Sequence, residues 1–216
     1  MTTTLHPAAR TVQSVHGDVE VPLPGTYDLD ASHTHVGFVA RHLMVSKTRG
    51  SFPAVSGTIV IGDDHLASRV DVTIETASVE TGDERRDAHL RSGDFFAADE
   101  HPVMTYRSTA VHEAGPGRWA VEGDLTVRDV TRPVLLDVTF EGAVQDPWGA
   151  TRIGFTATGE IDREQFGLTW NQALEGGGFL VGKLVTLDIE AEAVRQERAA
   201  PGASPSTGAA TGSMEP

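Results

Sequence analysis

Apolar and polar residues alternate with a period of two through almost every segment between residues 25 and 196, and turn signals interrupt the alternation at short intervals. A chain patterned this way forms short strands with one wet face and one buried face. Segment 36–45 places Val36, Phe38, Ala40, His42 and Met44 on one side and His35, Gly37, Val39 and Arg41 on the other. Segments 55–61, 69–76, 118–127, 133–143, 151–161 and 183–194 repeat the pattern, with Phe140 and Phe155 on apolar faces. Met104 and Tyr106 do the same after Pro102. The pattern predicts an all-β fold, an antiparallel barrel of about eight strands, because closure removes exposed strand edges. A barrel of about eight strands either fills with side chains or holds one small ligand. The inward set mixes Phe38, Phe140 and Phe155 with Ala40, Gly57, Gly123 and Ala157. The small residues either leave room or accommodate their large neighbours.

One stretch breaks the period. Residues 78–101 contain a helical segment, expected over 83–92. Thr81 or Asp83 caps it, Asp83 and Glu84 suit the exposed N–H groups of its first turn, and Gly93 follows Arg91 at its end. A lone helix between barrel strands is expected to close one end. The adjacent Phe95 and Phe96 are then candidates to pack the lid and border the space beneath. Residues 163–167 read as a single helical turn, with Phe166 and Trp170 as further cavity candidates near a loop at the opening.

Charge and composition narrow the partners. The chain carries 17 Lys and Arg against 31 Asp and Glu, a net charge of −14. Such a balance argues against a nucleic-acid partner and against electrostatic docking of the whole domain on an anionic membrane. There is no cysteine, which excludes disulfides, thiolate metal sites and cysteine nucleophiles. No apolar window approaches the length of a membrane-spanning helix, so stable insertion is not expected. The start lacks a basic and an apolar signal region, and a cytoplasmic protein is the expectation. Residues 1–24 read as disordered or weakly ordered, with a short edge segment at Val19, Val21 and Leu23; residues 197–216 read as a disordered tail.

Five ordered motifs within the 25–196 domain resemble the YceI-like family. They are Y-D-L-D-A-S-H-T-H-V-G-F-V-A-R-H-L-M-V-S-K-T-R-G-S-F (27–52), R-R-D-A-H-L-R-S-G-D-F-F (85–96) with H-P-V-M-T-Y-R-S (101–108), G-D-L-T-V-R-D-V-T-R-P-V (123–134), E-I-D-R-E-Q-F-G (160–167) and V-G-K-L-V-T-L (181–187). The resemblance implies a lipocalin-like barrel that binds polyisoprenoid or other long-chain lipids, without a cofactor, and it suggests a homodimer. Two departures stand out. Arg128 and Asp129 occupy a turn that usually has a small aromatic or His followed by Gly, and Lys183 stands where an acidic residue is common. Asp tolerates a left-handed backbone, so the turn is expected to survive.

Catalytic and metal readings are weaker. His33 and His35 share a face, but spacing places no third metal ligand, and no metal site is assigned. Asp87, His89 and Ser92 cannot form a relay within one helix, and no G-x-S-x-G occurs. No catalytic residue is assigned. His42, inward among apolar residues, and Arg91, on the lid, are the candidates for a lipid head group. The expected function is non-enzymatic binding, sequestration or transport of a long apolar chain: an isoprenoid quinone, a polyprenyl phosphate, or a fatty acid or amide. Two alternatives stay open, a lipid isomerase or hydrolase using His42 and a filled, ligand-free barrel with a structural or stress role.

Overall fold

The computed structural model describes residues 14–16, 19–43, 45–175 and 177–197. Expectations for residues 1–13, 17, 18 and 198–216, and for Met44, lie outside the described residues. Two short strands, β1 (Ser14–His16) and β2 (Val19–Val21), pair as a separate hairpin. The other ten are β3 (Gly25–Leu29), β4 (His35–His42), β5 (Ser46–Ser51), β6 (Val55–Ile61), β7 (Arg69–Glu75), β8 (Val103–Gly115), β9 (Arg118–Val127), β10 (Val130–Gln145), β11 (Thr151–Asp162) and β12 (Val181–Arg195).

These ten form eight staves. β12 pairs with β3 through Ala193↔Leu29 and with β4 through Glu190↔His35, so β3 and β4 are two halves of one stave broken by the 3₁₀ turn Ala31–His33. β6 pairs with β3 and β5 with β4, which makes β5 and β6 halves of the next stave. β7 to β12 complete the ring, every neighbour is antiparallel, and the β11–β12 pairing closes it. The expected closed barrel is therefore present. Closure gives every stave a partner on both edges, as the absence of a long exposed edge in the pattern requires.

The helix α1 (Glu84–Arg91) lies between β7 and β8. Asp83 caps it by accepting a hydrogen bond from the Arg86 N–H at 3.0 Å. Leu90, Phe95 and Phe96 pack against the main core, so the helix and the residues after it close one end. That lid end also holds the β4–β5 turn, the Arg128–Asp129 turn and residues 163–175 and 177–180, as the strand registers dictate. Arg128 and Asp129 both have positive φ, 49° and 63°, and the turn survives the departure. The Arg128 guanidinium donates to the carbonyl of Phe95 at 2.9 Å, which ties the turn to the lid.

The opposite end carries the 62–68 turn, the 146–150 turn and the segment leading into β3. Val21 and Pro22 are buried there, so ordered packing begins before residue 25. A second apolar cluster of Tyr27, Ile59, Ile61, Ala143, Ile153 and Ala193 fills this end.

Candidate functional site: an apolar cavity under the lid

The interior of the barrel contains a cavity of about 290 Å³. Its wall is built almost entirely from aliphatic and aromatic side chains. Val36, Phe38 and Ala40 contribute from β4, Met104 and Tyr106 from β8, Leu136 and Val138 from β10, Phe155 and Ala157 from β11, and Val185, Leu187 and Ile189 from β12. Phe95, Phe96, Phe166 and Leu168 border it at the lid end, and Pro22, His65 and Trp119 at the other. Alternate residues of each strand supply this wall because the pleat turns every second side chain inward.

An aromatic series joins wall to lid. Phe38 and Phe52 lie 5.6 Å apart between ring centroids, and Phe52 meets Phe96 edge-on at 5.4 Å. Both Phe95 and Phe96 face the cavity. The space comes from some of the small residues and not from others. Ala40 and Ala157 line the cavity. Gly123 does not open it: a Cβ there would stand 2.4 Å from the Tyr106 ring, so this glycine exists to accommodate the tyrosine. Gly57 is closed in by the Asp71 carbonyl and Leu29.

Polar groups on the wall are largely engaged with backbone. The Tyr106 hydroxyl donates to the Val121 carbonyl at 3.0 Å, and burial, with Asp124 and Glu122 nearby, pushes its pKa up. The phenol stays protonated and is no base. His65 Nε2 lies 3.2 Å from the Pro22 carbonyl, and its ring stacks on Trp119. Arg163, only 3% exposed, is the charged residue that sequence reasoning passed over. Its Nε donates to the Gly182 carbonyl at 2.9 Å, its Nη1 to the carbonyls of Leu168 and Trp170, and its Nη2 to Val181 at 3.4 Å. Burial lowers its pKa, while Glu164 and Asp162 oppose the shift. The only signal in the sequence was its place beside Phe166 and Gly167 in a motif.

Four candidates lie off the wall. His42 is the last residue of β4, at the rim, paired with Val181 and Ser46. It stands past Ala40 at the end of the strand and is not a lining position of the cavity. Arg91 is committed elsewhere: its Nε and Nη2 donate to the carbonyls of Ala77 and Val79, both at 2.7 Å. The cation fastens the lid to the preceding turn. Phe140 packs on the second cluster beside Phe155, 5.5 Å between centroids. Trp170 packs beside the lid, against His89 at 4.6 Å and Phe95 at 5.4 Å.

Catalytic arrangements fare no better. The Ser92 hydroxyl donates to the backbone carbonyl of His89, not to its ring, and His89 Nε2 meets Asp94 at 2.9 Å. Asp87 accepts from Thr81. Asp30, His33 and Glu192 converge near the other end, but the Arg152 guanidinium already holds Asp30 and Glu192 where a cation would sit. Lys183, the second departure, pairs with Glu164 at 2.6 Å.

A closed antiparallel barrel with an apolar interior and a helical lid defines a lipocalin-like class of protein. The family model described as the YceI-like domain matches residues 27–193, and the chain belongs to that family. A UPF0312 protein of Staphylococcus aureus strain USA300 is 39% identical over 171 residues, covering 77% of this chain and 95% of that protein. A YceI protein of Campylobacter jejuni of known structure is 31% identical, with a TM-score of 0.62 over 73% of this chain and 90% of that one. BcnA of Burkholderia cenocepacia shares the fold at 21% identity, TM-score 0.67, covering 76% of this chain and 98% of its own. A polyisoprenoid binding domain from Saccharophagus degradans shares it at 18% identity, TM-score 0.57, over 79% and 98% of the two chains.

Proposed function

We propose that this barrel binds and carries a long apolar chain, without chemistry, in the cavity beneath α1. The observation that carries the reading is a wall of aliphatic and aromatic side chains whose few polar members are largely engaged with backbone. Its 290 Å³ falls near the lower end of the roughly 300–1,000 Å³ common for small-molecule sites, which suits a slender chain better than a bulky ring system. A chain hiding about 400 Å² of apolar surface gains on the order of 10 kcal/mol. Loss of translation and rotation takes back a large part, leaving micromolar or tighter binding within reach without directional contacts. Membership of the YceI-like family and the polyisoprenoid ligand of the Saccharophagus domain favour an isoprenoid or fatty chain, as a quinone, a polyprenyl phosphate, or an acid or amide.

The test is native purification, organic extraction and mass spectrometry of the extract. A stoichiometric long-chain lipid is expected. An empty extract, with no uptake of added fatty acid or isoprenoid quinone, would shift the assignment to the filled, ligand-free barrel.

With Arg91 committed and His42 off the wall, the head group falls to Arg163, whose Nη2 makes only a long bond to Val181. A carboxylate, phosphate or quinone oxygen there would accept its remaining N–H. Hexadecanoic acid should therefore outcompete hexadecanol, and Arg163→Met should erase that preference. Equal binding of acid and alcohol by the unaltered protein would remove Arg163 from this role.

A further inference from the structure

The chain as a whole is acidic, yet one stretch has no carboxylate at all. Between Asp30 and Asp63 the charged residues are Arg41, Lys47 and Arg49, and all three are cations. They fall in the β4–β5 hairpin. The register sets Lys47 opposite Arg41 and Arg49 opposite Val39, so the three side chains share the outer face of the hairpin, and all are exposed. Like charges directly across an antiparallel pair repel. Among the described residues, none of the three has a carboxylate at ion-pair distance. Among the described residues this repulsion has no ion-pair partner to relieve it.

The tip of the same hairpin is apolar. Leu43 and Val45 stand at it. Leu43 is 38% exposed and Val45 85%, and Leu43 is held at φ 52°, a left-handed conformation that a leucine seldom adopts. The Leu43 N–H donates to Leu180, next to Phe179, which is itself 53% exposed. Val181, the following residue, lines the cavity. A finger with an apolar tip and basic flanks thus stands at the rim of the barrel, at the lid end.

We propose that this hairpin docks the protein reversibly on an anionic lipid surface, Leu43 and Val45 entering the acyl boundary and Arg41, Lys47 and Arg49 meeting the phosphate and carboxylate head groups. Apolar tip and cationic flank are the two ingredients of interfacial binding, and both are needed for either to be effective. The net charge of −14 does not prevent it, because screening confines electrostatics to about 10 Å at ordinary salt, and the hairpin itself carries cations and no carboxylate. Docking at this end would bring the mouth of the apolar cavity to the membrane that supplies or receives its chain. The inference extends the carrier reading, but vesicle binding is measured without cargo, so either one can fail while the other stands.

The test is co-sedimentation of the full chain with phosphatidylcholine vesicles, with and without about 30% phosphatidylserine. Binding to the anionic vesicles, falling as salt is raised, is expected. The triple variant Arg41→Gln, Lys47→Gln, Arg49→Gln should lose on the order of a hundredfold in affinity, about fivefold per cation. Val45→Asp should abolish what remains, and circular dichroism should show both variants folded. Arg69→Gln and Trp148→Ala, an exposed cation and an exposed aromatic at the opposite end, should bind as the parent does. Equal binding by parent and triple variant would overturn the proposal. So would a change of oligomeric state in light scattering with no change in vesicle binding, which would make the finger a contact between two copies of the chain.

Discussion

Single residues decide how the two ends of the barrel are held. Arg152 gathers Asp30, Asp146 and Glu192 onto one guanidinium at the end opposite the lid. A hydrogen bond from Ser32, then one from Arg152, holds the Asp30 carboxyl well below its usual range, and Arg152 leads the same shift at Asp146. Both folded pKa values lie below those of the unfolded chain. Their stabilisation is therefore complete above about pH 4, the ordinary Asp value, and fades as pH falls through the lower, folded values. In a series of thermal melts, the midpoint should drop as pH goes below about 4. Arg152→Met should start lower at neutral pH and show a shallower acid limb. An unchanged acid limb in that variant would mean the cluster is electrostatically idle. None of this was readable from sequence, since Arg152 and Asp30 are far apart in the chain and meet only through β12. The same holds for His42. Its phase in the alternation points inward, but it is the last residue of β4 and stands at the rim, past the lining positions. Gly123 was legible as small but not as a seat for Tyr106. What local pattern does reveal is Phe38, Ala40, Met104, Tyr106 and Phe155, which all line the cavity as their phase in the strands indicates.

At the scale of elements, the helix is the part whose ends were written locally. Its cap, Asp83, and its first-turn Glu84 act within a few residues, so the expected 83–92 matches Glu84–Arg91 closely. Its docking is less local: Arg91 reaches back to Ala77 and Val79, and Arg128 reaches across to Phe95. α1 makes no strand pairing and rests on a few apolar side chains, so it is the element expected to open first. Asp83→Ala removes the cap. Amide exchange in 84–91 should then quicken about fivefold while β8 to β11 keep their protection, and release of a bound chain should quicken with it. Uniform acceleration across the barrel would show that the helix is no separate opening unit.

The whole molecule is a closed ring whose interior is apolar and only partly filled. Closure was legible from sequence because period-2 segments without a spare edge have few other solutions. The void was not, because Ala40 and Ala157 leave space while Gly57 and Gly123 do not, and only the cross-strand neighbours tell these apart. Occupation of that void is the claim on which the functional reading stands. The most direct measurement is a titration of the delipidated protein with a fluorescent long-chain fatty acid, comparing the parent with Ala157→Phe and Ala40→Phe. Each substitution puts a ring into the cavity, so affinity should fall by about tenfold or more, at least ~1.4 kcal/mol. The thermal midpoint should hold or rise, since filling a void adds contacts without displacing packed ones. Undiminished binding by both folded variants would place the chain outside the barrel and contradict the reading.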